Sequence, residues 1–254
     1  MTRIRKRITK KTKAPCEVCS TKKISGKSRL YLLESGNTHL RQYLPVGNEL
    51  KQNSQASEKV LLEGLRPRTT FFFFAINSSI KDFTQPIKHF KDAYDTLQNS
   101  GVAKTDSHGR AIVHVNCPQI YIAEDNQVYS RHFHLIYWNA KLKGWDKKMY
   151  THQIFCNVDK AFVKSILGKV IIIDALSPES YNKHHIQSAI NMPASNNWTF
   201  DKVKSLLPKG THSTTPMIIY CYNPECNAAE KLWAKLNKLG FYNTMHYLGG
   251  ISDW

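Results

Sequence analysis

The sequence predicts an α/β domain at the C-terminal end, a parallel sheet with helices on both faces, preceded by a mainly β, sandwich-like domain and a basic flexible tail. Beyond residue 158, short apolar runs alternate with segments of helical periodicity, as in strands joined by crossover helices. Before it, short β-prone runs are separated by turn residues. Residues 1–30 hold eleven Lys or Arg against one acid, Glu17. We therefore expect a basic, loosely ordered segment at 1–58, the sandwich-like domain at 59–157 and the α/β domain at 158–254.

The N-terminal segment contains a basic run and a pair of cysteines, each with a functional interpretation. Its basic run, TRIRKRITKKTK, suits contacts with a nucleic acid or an acidic partner, or a nuclear address, and equally a solvated flexible tail. Cys16 and Cys19 form a CxxC, which is half of a zinc site and would need distant cysteines such as Cys117 or Cys156 to complete it. Two ordinary thiols are the alternative.

Composition narrows the class of protein. The 254 residues carry a formal net charge of +17. No apolar run approaches the roughly 20 residues of a membrane helix, and no secretory leader is visible at the N-terminus. The six cysteines are expected to be reduced intracellular thiols. We expect an intracellular, cytoplasmic protein without a membrane partner, with the nucleus or an organelle left open.

The β domain begins with the run Thr69–Ile76, TTFFFFAI, which is apolar enough for a strand buried on both faces. A helix carrying Tyr94 is expected at Ile87–Leu97, ended by Asn99-Ser100-Gly101. Further strands are predicted at Ala111–Val115, Ile120–Ala123, His132–Tyr137 and Gln153–Val158. Short strands with turns between them favour an antiparallel sandwich.

The stretch TDSHGRAIVHVNCPQIYIAEDNQVYSRHFHL faintly resembles transthyretin-like sandwiches and, among them, the intradiol ring-cleaving dioxygenases. That resemblance implies ferric iron held by two tyrosines and two histidines, and the matching residues are Tyr94, Tyr121, His132 and His134. Alternation along a strand puts both histidines on one face, as ligands of one metal require. Iron or zinc is one interpretation, and polar histidines with satisfied hydrogen bonds are the other.

The α/β domain follows a short linker helix at residues 159–169. The predicted order is strand 170–174, helical turn 178–183, strand 189–192, helix 199–207, strand 217–220, helix 228–239 and strand 245–248. Ligands of such sheets bind beyond the carboxyl ends of the strands. Cys221 directly follows a predicted strand and is therefore the main candidate for chemistry.

The residues around Cys221 indicate how the cysteine is activated. Asn227 can cap the following helix, and Glu230 three residues later can complete a capping box. The loop amides and the positive end of the helix dipole would then face the sulfur. This arrangement predicts a thiolate with a depressed pKa and nucleophilic character.

Two further stretches accompany the cysteine loop, VIIIDALSPESYNKHHIQSAINMPAS before it and LGGISDW at Leu248–Trp254. With that loop they resemble the first half and the closing signature of the rhodanese-like sulfurtransferases, over about residues 160–254. The resemblance implies a persulfide on Cys221, no cofactor, and supporting parts for Asp174 and His185. The backbone cradle for the persulfide would comprise Tyr222, Asn223, Glu225, Cys226 and Asn227.

The chain departs from the family pattern at several positions. Leu176 replaces the arginine that usually follows the first aspartate, and the cysteine loop contains no arginine. Pro224 removes one amide donor. The spacing from Cys221 to Gly240 is also longer than usual, so the loop size that separates sulfur handlers from related phosphatases stays open.

Three classes of function remain. The leading one moves a sulfane sulfur from a small donor such as thiosulfate to a thiol or protein acceptor, and Cys226 either resolves the persulfide as a second thiol or packs against the helix. A second class is a thiol-redox, arsenate-reductase or phosphatase-like enzyme. A third is a non-catalytic interaction module with a nucleic-acid-binding tail. Donor, acceptor and oligomeric state stay open.

Overall fold

The computed structural model of the protein describes residues 44–76, 94, 97–122 and 127–254. The basic run, the CxxC at Cys16 and Cys19 and most of the helix expected at Ile87–Leu97 lie outside the described residues. The chain divides into two compact units. Phe155–Trp254 with Val128–Ser130 belong to one, and most described residues before them belong to the other.

The first unit is mainly β. Its strands are β1 (Glu58–Leu62), β2 (Thr70–Ala75), β3 (Asn99–Lys104), β4 (Ala111–Val115), β5 (Tyr121–Ile122), β7 (His132–Asn139) and β8 (Gly144–Gln153), and the two-residue β6 (Val128–Tyr129) lies between β5 and β7 in sequence. A four-stranded antiparallel sheet has the order β3-β2-β7-β8, and β1 pairs with β4. Every residue of β2 is buried, as its phenylalanine run predicts. A two-layered sandwich stays a prediction.

Three elements up to Val158 differ from the predicted ones. Asn99-Ser100-Gly101, predicted to end a helix, opens β3. The strand predicted at Gln153–Val158 is wrong in extent, because β8 spans Gly144–Gln153 and Asn157–Val158 form the separate strand β9. β1 begins at Glu58, where the sequence predicts the last residue of the loosely ordered segment.

The second unit contains a parallel sheet of five strands in the order β11-β10-β12-β13-β9. Its strands are β9 (Asn157–Val158), β10 (Ile171–Asp174), β11 (Ile190–Asn191), β12 (Met217–Tyr220) and β13 (Thr244–Tyr247). Its helices are α1 (Lys160–Ile166), α2 (Pro178–Lys183), α3 (Phe200–Leu206) and α4 (Ala228–Lys238). The predicted alternation of strands and helices in this part of the chain matches these elements.

The core of the second unit lies between the central strands and helices α3 and α4. Ile173 and Ile219 contribute from the sheet, and Val203, Leu232 and Leu236 contribute from the helices. Each is nearly inaccessible to solvent, and a buried side chain of this size stabilises the fold by about 1.5–3 kcal/mol. This core fixes the carboxyl end of β12 relative to the start of α4, where Cys221 lies.

No helix in the described part of the chain has the length and apolar character that a membrane crossing needs.

Candidate active site

Cys221 is buried at the carboxyl end of β12, in the loop that leads into α4. The amides of Tyr222 and Ala229 donate hydrogen bonds to its sulfur. One of these amides comes from the loop and the other from the first turn of a helix, where N–H groups have no partner within the helix. The sulfur therefore occupies an anion-binding position.

The closing segment of the chain holds this loop in place. The amide of Ile251 donates to the carbonyl oxygen of Cys221 at 2.9 Å, and the amide of Ser252 donates to that of Tyr222 at 2.9 Å. Gly250 adopts a positive φ of 65°, and a Cβ atom there would lie 2.5 Å from the Cys221 carbonyl oxygen. The LGGISDW segment thus positions the cysteine loop from behind, through backbone contacts.

Cys226 is the second thiol of the site. It is half-buried, and both it and Cys221 are free cysteines. The two side chains are hydrogen-bonded to each other. The amides of Tyr222 and Ala228 also donate to the sulfur of Cys226, so the start of α4 contributes one amide to each sulfur. The loop therefore presents two thiols in contact rather than a single one.

The pKa values of the two thiols are shifted in opposite directions. The hydrogen bond from Cys221 is the main cause that lowers the pKa of Cys226 to about 5, helped by the Tyr222 and Ala228 amides and by the charge of Lys231. The same hydrogen bond, followed by burial, raises the pKa of Cys221. In addition, the Cys221 sulfur lies 3.2 Å from the Cys226 carbonyl oxygen, which accepts from a thiol and repels a thiolate. The carbonyl contact thus disfavours a thiolate on Cys221 and favours the negative charge on Cys226, and the pKa of Cys221 is raised rather than depressed as the sequence predicts.

The amides that contact sulfur also differ from those predicted for the cradle. The amides of Glu225 and Cys226 instead donate to the side-chain oxygen of Asn223, at 3.1 and 3.0 Å. Asn227 makes no side-chain cap hydrogen bond, so the predicted capping box with Glu230 does not form. The amides that contact sulfur belong to Tyr222, Ala228 and Ala229. Sequence reasoning missed the two alanines, although their position in the first helical turn could have indicated them.

Asp174 lies beside the cysteine loop, because its strand pairs with β12 in a register that sets it opposite Tyr220. One carboxylate oxygen accepts from the Leu176 amide at 2.8 Å, and the other is buried without a hydrogen-bond partner. Burial raises the pKa of Asp174, and the Tyr220 hydroxyl, the Leu176 amide and His185 oppose that change. This residue therefore lies on the strand next to the one that ends at Cys221.

His185 lies just after α2 and packs against Tyr181 of that helix. Its ring stacks on Tyr181 with centroids 3.9 Å apart, and its Nδ1 lies 2.8 Å from the Tyr181 carbonyl oxygen. The next amide, of Ile186, donates to the Tyr220 hydroxyl at 3.0 Å. The Tyr-His-Ile segment therefore ties the α2 connection to the end of β12.

The remaining described cysteines correct one expectation. Cys117 and Cys156 are each disulfide-bonded, so the expectation that all six cysteines are reduced thiols is wrong for these two. A disulfide sulfur is not a thiolate ligand. Neither residue is therefore available to complete a zinc site with Cys16 and Cys19.

The metal candidates of the first unit are brought together. The Tyr94 hydroxyl lies 3.1 Å from Nε2 of both His132 and His134, and 3.5 Å from the Tyr121 hydroxyl. All four side chains are buried. The four residues thus form one cluster, although they come from separate parts of the sequence.

Comparison with known proteins gives a family match for the second unit. The family model described as rhodanese-like domain matches residues 160–254. No curated protein matches the sequence at a significant level.

Several solved structures are similar to part of the chain. BH2092 from Bacillus halodurans is 32% identical, with 39% of this chain and 70% of that chain covered and a TM-score of 0.33. An uncharacterized Saccharomyces cerevisiae protein is 25% identical over 39% of this chain and 90% of its own, with a TM-score of 0.33. The human single-domain sulfurtransferase TSTD1 is 19% identical over 39% and 93%, also with a TM-score of 0.33. Through residues 160–254, the chain belongs to the family of rhodanese-like domains.

Proposed function

We propose that the rhodanese-like domain is a sulfurtransferase that moves a sulfane sulfur from a small donor such as thiosulfate to a thiol or another nucleophile. The observation that carries this proposal is the position of Cys221, whose sulfur accepts amide hydrogen bonds from the loop and from the first turn of α4. Amides in that position stabilise negative charge on a bound sulfur without needing a cofactor.

The resting charge on Cys226 gives Cys221 its base. Transfer of the Cys221 proton to the Cys226 thiolate, along the hydrogen bond between them, generates the nucleophile. The Cys221 thiolate attacks the sulfane sulfur of thiosulfate, and the sulfur–sulfur bond of the donor breaks as sulfite leaves with the electron pair. The product is a persulfide on Cys221. An acceptor thiolate then attacks the outer sulfur and restores the Cys221 thiolate.

The contact between the two thiols also favours a second candidate function, a thiol-redox cycle. Once its proton has passed to the outer sulfur of the persulfide, the Cys226 thiolate can attack the inner sulfur, which forms a Cys221–Cys226 disulfide and releases hydrosulfide. A reducing thiol must then return the pair to its free state. In this cycle Cys226 is the resolving residue, and hydrosulfide rather than a sulfurated acceptor is the product.

Turnover of thiosulfate and cyanide to thiocyanate tests the proposal, with Cys221→Ser and Cys226→Ser beside the wild-type protein. Intact mass spectrometry should show a gain of roughly 32 Da on wild type and on Cys226→Ser, as expected of one added sulfur in a covalent intermediate. Cys221→Ser should gain none and should not turn over. Turnover by Cys221→Ser, or the absence of the mass gain with several sulfane donors, would refute sulfur transfer.

The same experiment separates the two candidates. If sulfur transfer dominates, Cys226→Ser keeps the persulfide and still produces thiocyanate, at a rate reduced by the loss of the base. If the redox cycle dominates, wild type accumulates a disulfide between Cys221 and Cys226 and releases hydrosulfide, whereas Cys226→Ser holds the persulfide without releasing hydrosulfide. Wild type that never forms the disulfide after persulfide loading would contradict the redox candidate.

A further inference from the structure

The loop that holds the active-site cysteine contains few groups that can neutralise a sulfur donor with two negative charges. From Cys221 to Asn227 the sequence has no arginine, lysine or histidine. Pro224 has no amide hydrogen, and the amides of Glu225 and Cys226 already donate to the side-chain oxygen of Asn223 at 3.1 and 3.0 Å. A second negative charge on a donor must therefore be neutralised by groups outside the loop.

The edge of the sheet around the loop adds negative charge. All five strands are parallel, so their carboxyl ends lie at this edge. The last residue of each strand and the six residues after it include two lysines, no arginine or histidine, and five acids, namely Asp159, Asp174, Glu179, Glu225 and Asp253. Both lysines are engaged, since Lys160 donates to the Asp253 carbonyl oxygen and the Lys164 ammonium lies 5.6 Å from the centroid of the Trp254 ring. The field at this edge therefore disfavours a highly charged anion.

Glu230 brings a further carboxyl group close to the two thiols. It is half-buried in the first turn of α4. Burial raises its pKa, and the charge on Cys226 raises it further, so the carboxyl and the thiol interact electrostatically. Lys231, the next residue of the helix, opposes this with one positive charge near Cys226. A donor that approaches Cys221 thus meets the charge of the cysteine pair together with that of Glu230.

An apolar surface lies directly beside the cysteine. The side chain of Tyr222 is 55% exposed, although its backbone amide donates to the Cys221 sulfur. An exposed aromatic ring next to a reacting atom provides contact area for an organic group on the ligand. Thiosulfate has only charged oxygens and sulfur to place there, whereas an organic donor can bury carbon against the ring.

We propose that the preferred donor for Cys221 is an organic sulfane compound with one negative charge, a persulfide or a thiosulfonate, rather than thiosulfate. This assignment rests on the proposed sulfur transfer and names its donor class. The Cys221 thiolate attacks the terminal sulfur, the sulfur–sulfur bond of the donor breaks, and an organic thiolate or sulfinate leaves with the electron pair. One singly charged anion enters and another leaves, and the persulfide on Cys221 keeps the charge of the thiolate.

Methanethiosulfonate is the matched probe, since a methyl group replaces one charged oxygen of thiosulfate and the transferable sulfur is unchanged. With cyanide as the common acceptor of a ping-pong reaction, kcat/KM for the donor reports only the steps that lead to the persulfide. Each value is divided by the rate constant of the same donor with N-acetylcysteine, which corrects for the leaving group. For the full-length protein we expect the corrected value to be at least about tenfold higher for methanethiosulfonate than for thiosulfate.

Glu230→Gln tests the source of this preference. Because a Coulomb energy scales with the product of the charges, kcat/KM should rise about tenfold for thiosulfate and about threefold for methanethiosulfonate. Lys238→Gln is the matched control, since it changes one charge in the last turn of the same helix. It lies about 12 Å from Glu230 along the helix axis, beyond the screening length of about 8 Å in physiological salt. Both values should stay within about twofold in this control.

Benzenethiosulfonate tests the contact with the organic group. Its ring should give a kcat/KM about threefold above that of methanethiosulfonate, because it can pack against Tyr222. Tyr222→Ala should remove this difference between the two thiosulfonates. A difference that persists in this variant would show that Tyr222 does not contact the donor.

The outcomes separate the donor assignment from sulfur transfer itself. If thiosulfate is used as well as methanethiosulfonate after the correction, the donor assignment is wrong and sulfur transfer stands. Equal gains for both donors in Glu230→Gln, or the same gains in Lys238→Gln, contradict repulsion by the Glu230 carboxylate. If mass spectrometry detects no added sulfur on Cys221 with any of the three donors, sulfur transfer fails and the donor assignment fails with it. Circular dichroism establishes that each variant is folded.

Discussion

Gly250→Ala tests how the closing segment positions the cysteine loop. The positive φ of Gly250 costs an alanine about 1–2 kcal/mol. Its Cβ atom would also lie 2.5 Å from the Cys221 carbonyl oxygen and 2.6 Å from that of Tyr222, so the two segments must separate by roughly 1 Å to reach an ordinary contact. The hydrogen bonds of Ile251 and Ser252 to these same carbonyls weaken together, each worth about 0.5–1.5 kcal/mol. We therefore expect a total loss of about 2–5 kcal/mol.

Gly168→Ala is the matched control. Gly168 has a φ of 76°, and nothing lies within 4 Å of a Cβ atom built there. Its substitution carries the same backbone strain, about 1–2 kcal/mol, and the same gain from a stiffer unfolded chain. The difference between the two variants, about 1–3 kcal/mol, isolates the contact with the cysteine loop.

The assay is hydrogen exchange followed by mass spectrometry, which reports the local free energy of opening for peptides from β12 and α4 without requiring two-state unfolding of both units. Thiocyanate formation is measured on the same samples, and it should fall about 100-fold, because a displacement near 1 Å misaligns the reacting sulfur. Equal destabilisation by the two alanine variants would refute the argument that Gly250 is required by its contact with the loop.

Three further outcomes are expected. Cys226→Ala should lower the pKa of Cys221, because it removes the hydrogen bond that is the main cause of its elevation; an unchanged pH profile of alkylation would contradict this. Asp174→Asn should stabilise the domain at pH 7 but not at pH 3, since burial raises the carboxyl pKa and only the ionised form is penalised; equal effects at both pH values would count against it. Burial lowers the pKa of His246 to about 4, below the unfolded value of 6.5, so its stabilisation is complete above pH 6.5 and is lost as the pH falls toward 4. His246→Phe should remove that dependence in acid unfolding measurements, and an undiminished loss would show that His246 is not its source.

The elements of the second unit could be predicted from the sequence because their signals are local. The tetrad Met217–Tyr220 is wholly buried, as its apolar run indicates, and the apolar spacing of α4 matches the face that carries Leu232 and Leu236 into the core. Pro178 at the start of α2 and the cap at Ser177 are equally local. Such segments need no information from distant residues to be assigned correctly.

The missed strands of the first unit depend on their neighbours. β8 carries charged residues and is the last strand in the described order of its sheet, so it lacks the apolar alternation of a buried strand. β3 begins with Asn-Ser-Gly, a typical stop signal, yet a Cβ atom at Gly101 would lie 2.6 Å from the Phe73 ring. The glycine is required by the phenylalanine on the adjacent strand, which no local pattern reveals.

The protonation of the cysteine pair was also beyond sequence reasoning. The sequence shows that Cys221 and Cys226 share a loop, but their relative pKa values depend on which amides reach each sulfur and on the carbonyl 3.2 Å from Cys221. In the turn at Asn223, two further amides donate to the Asn223 side-chain oxygen and therefore not to either sulfur. Asparagine commonly forms such turns, so this part could have been anticipated.

The same contacts favour sulfur over phosphate or arsenate chemistry at this site. A persulfide carries a single negative charge, whereas a bound phosphoryl or arsenate group carries close to two. Asn223 occupies the Glu225 and Cys226 amides, and Pro224 has none, so few loop amides remain for additional oxygens. The half-buried carboxyl of Glu230 also has its pKa raised, first by burial and then by the charge on Cys226, which means that further negative charge near the loop is opposed. With no arginine to compensate, a loop that already holds one charge between two sulfurs suits a persulfide, and a dianion would be poorly neutralised.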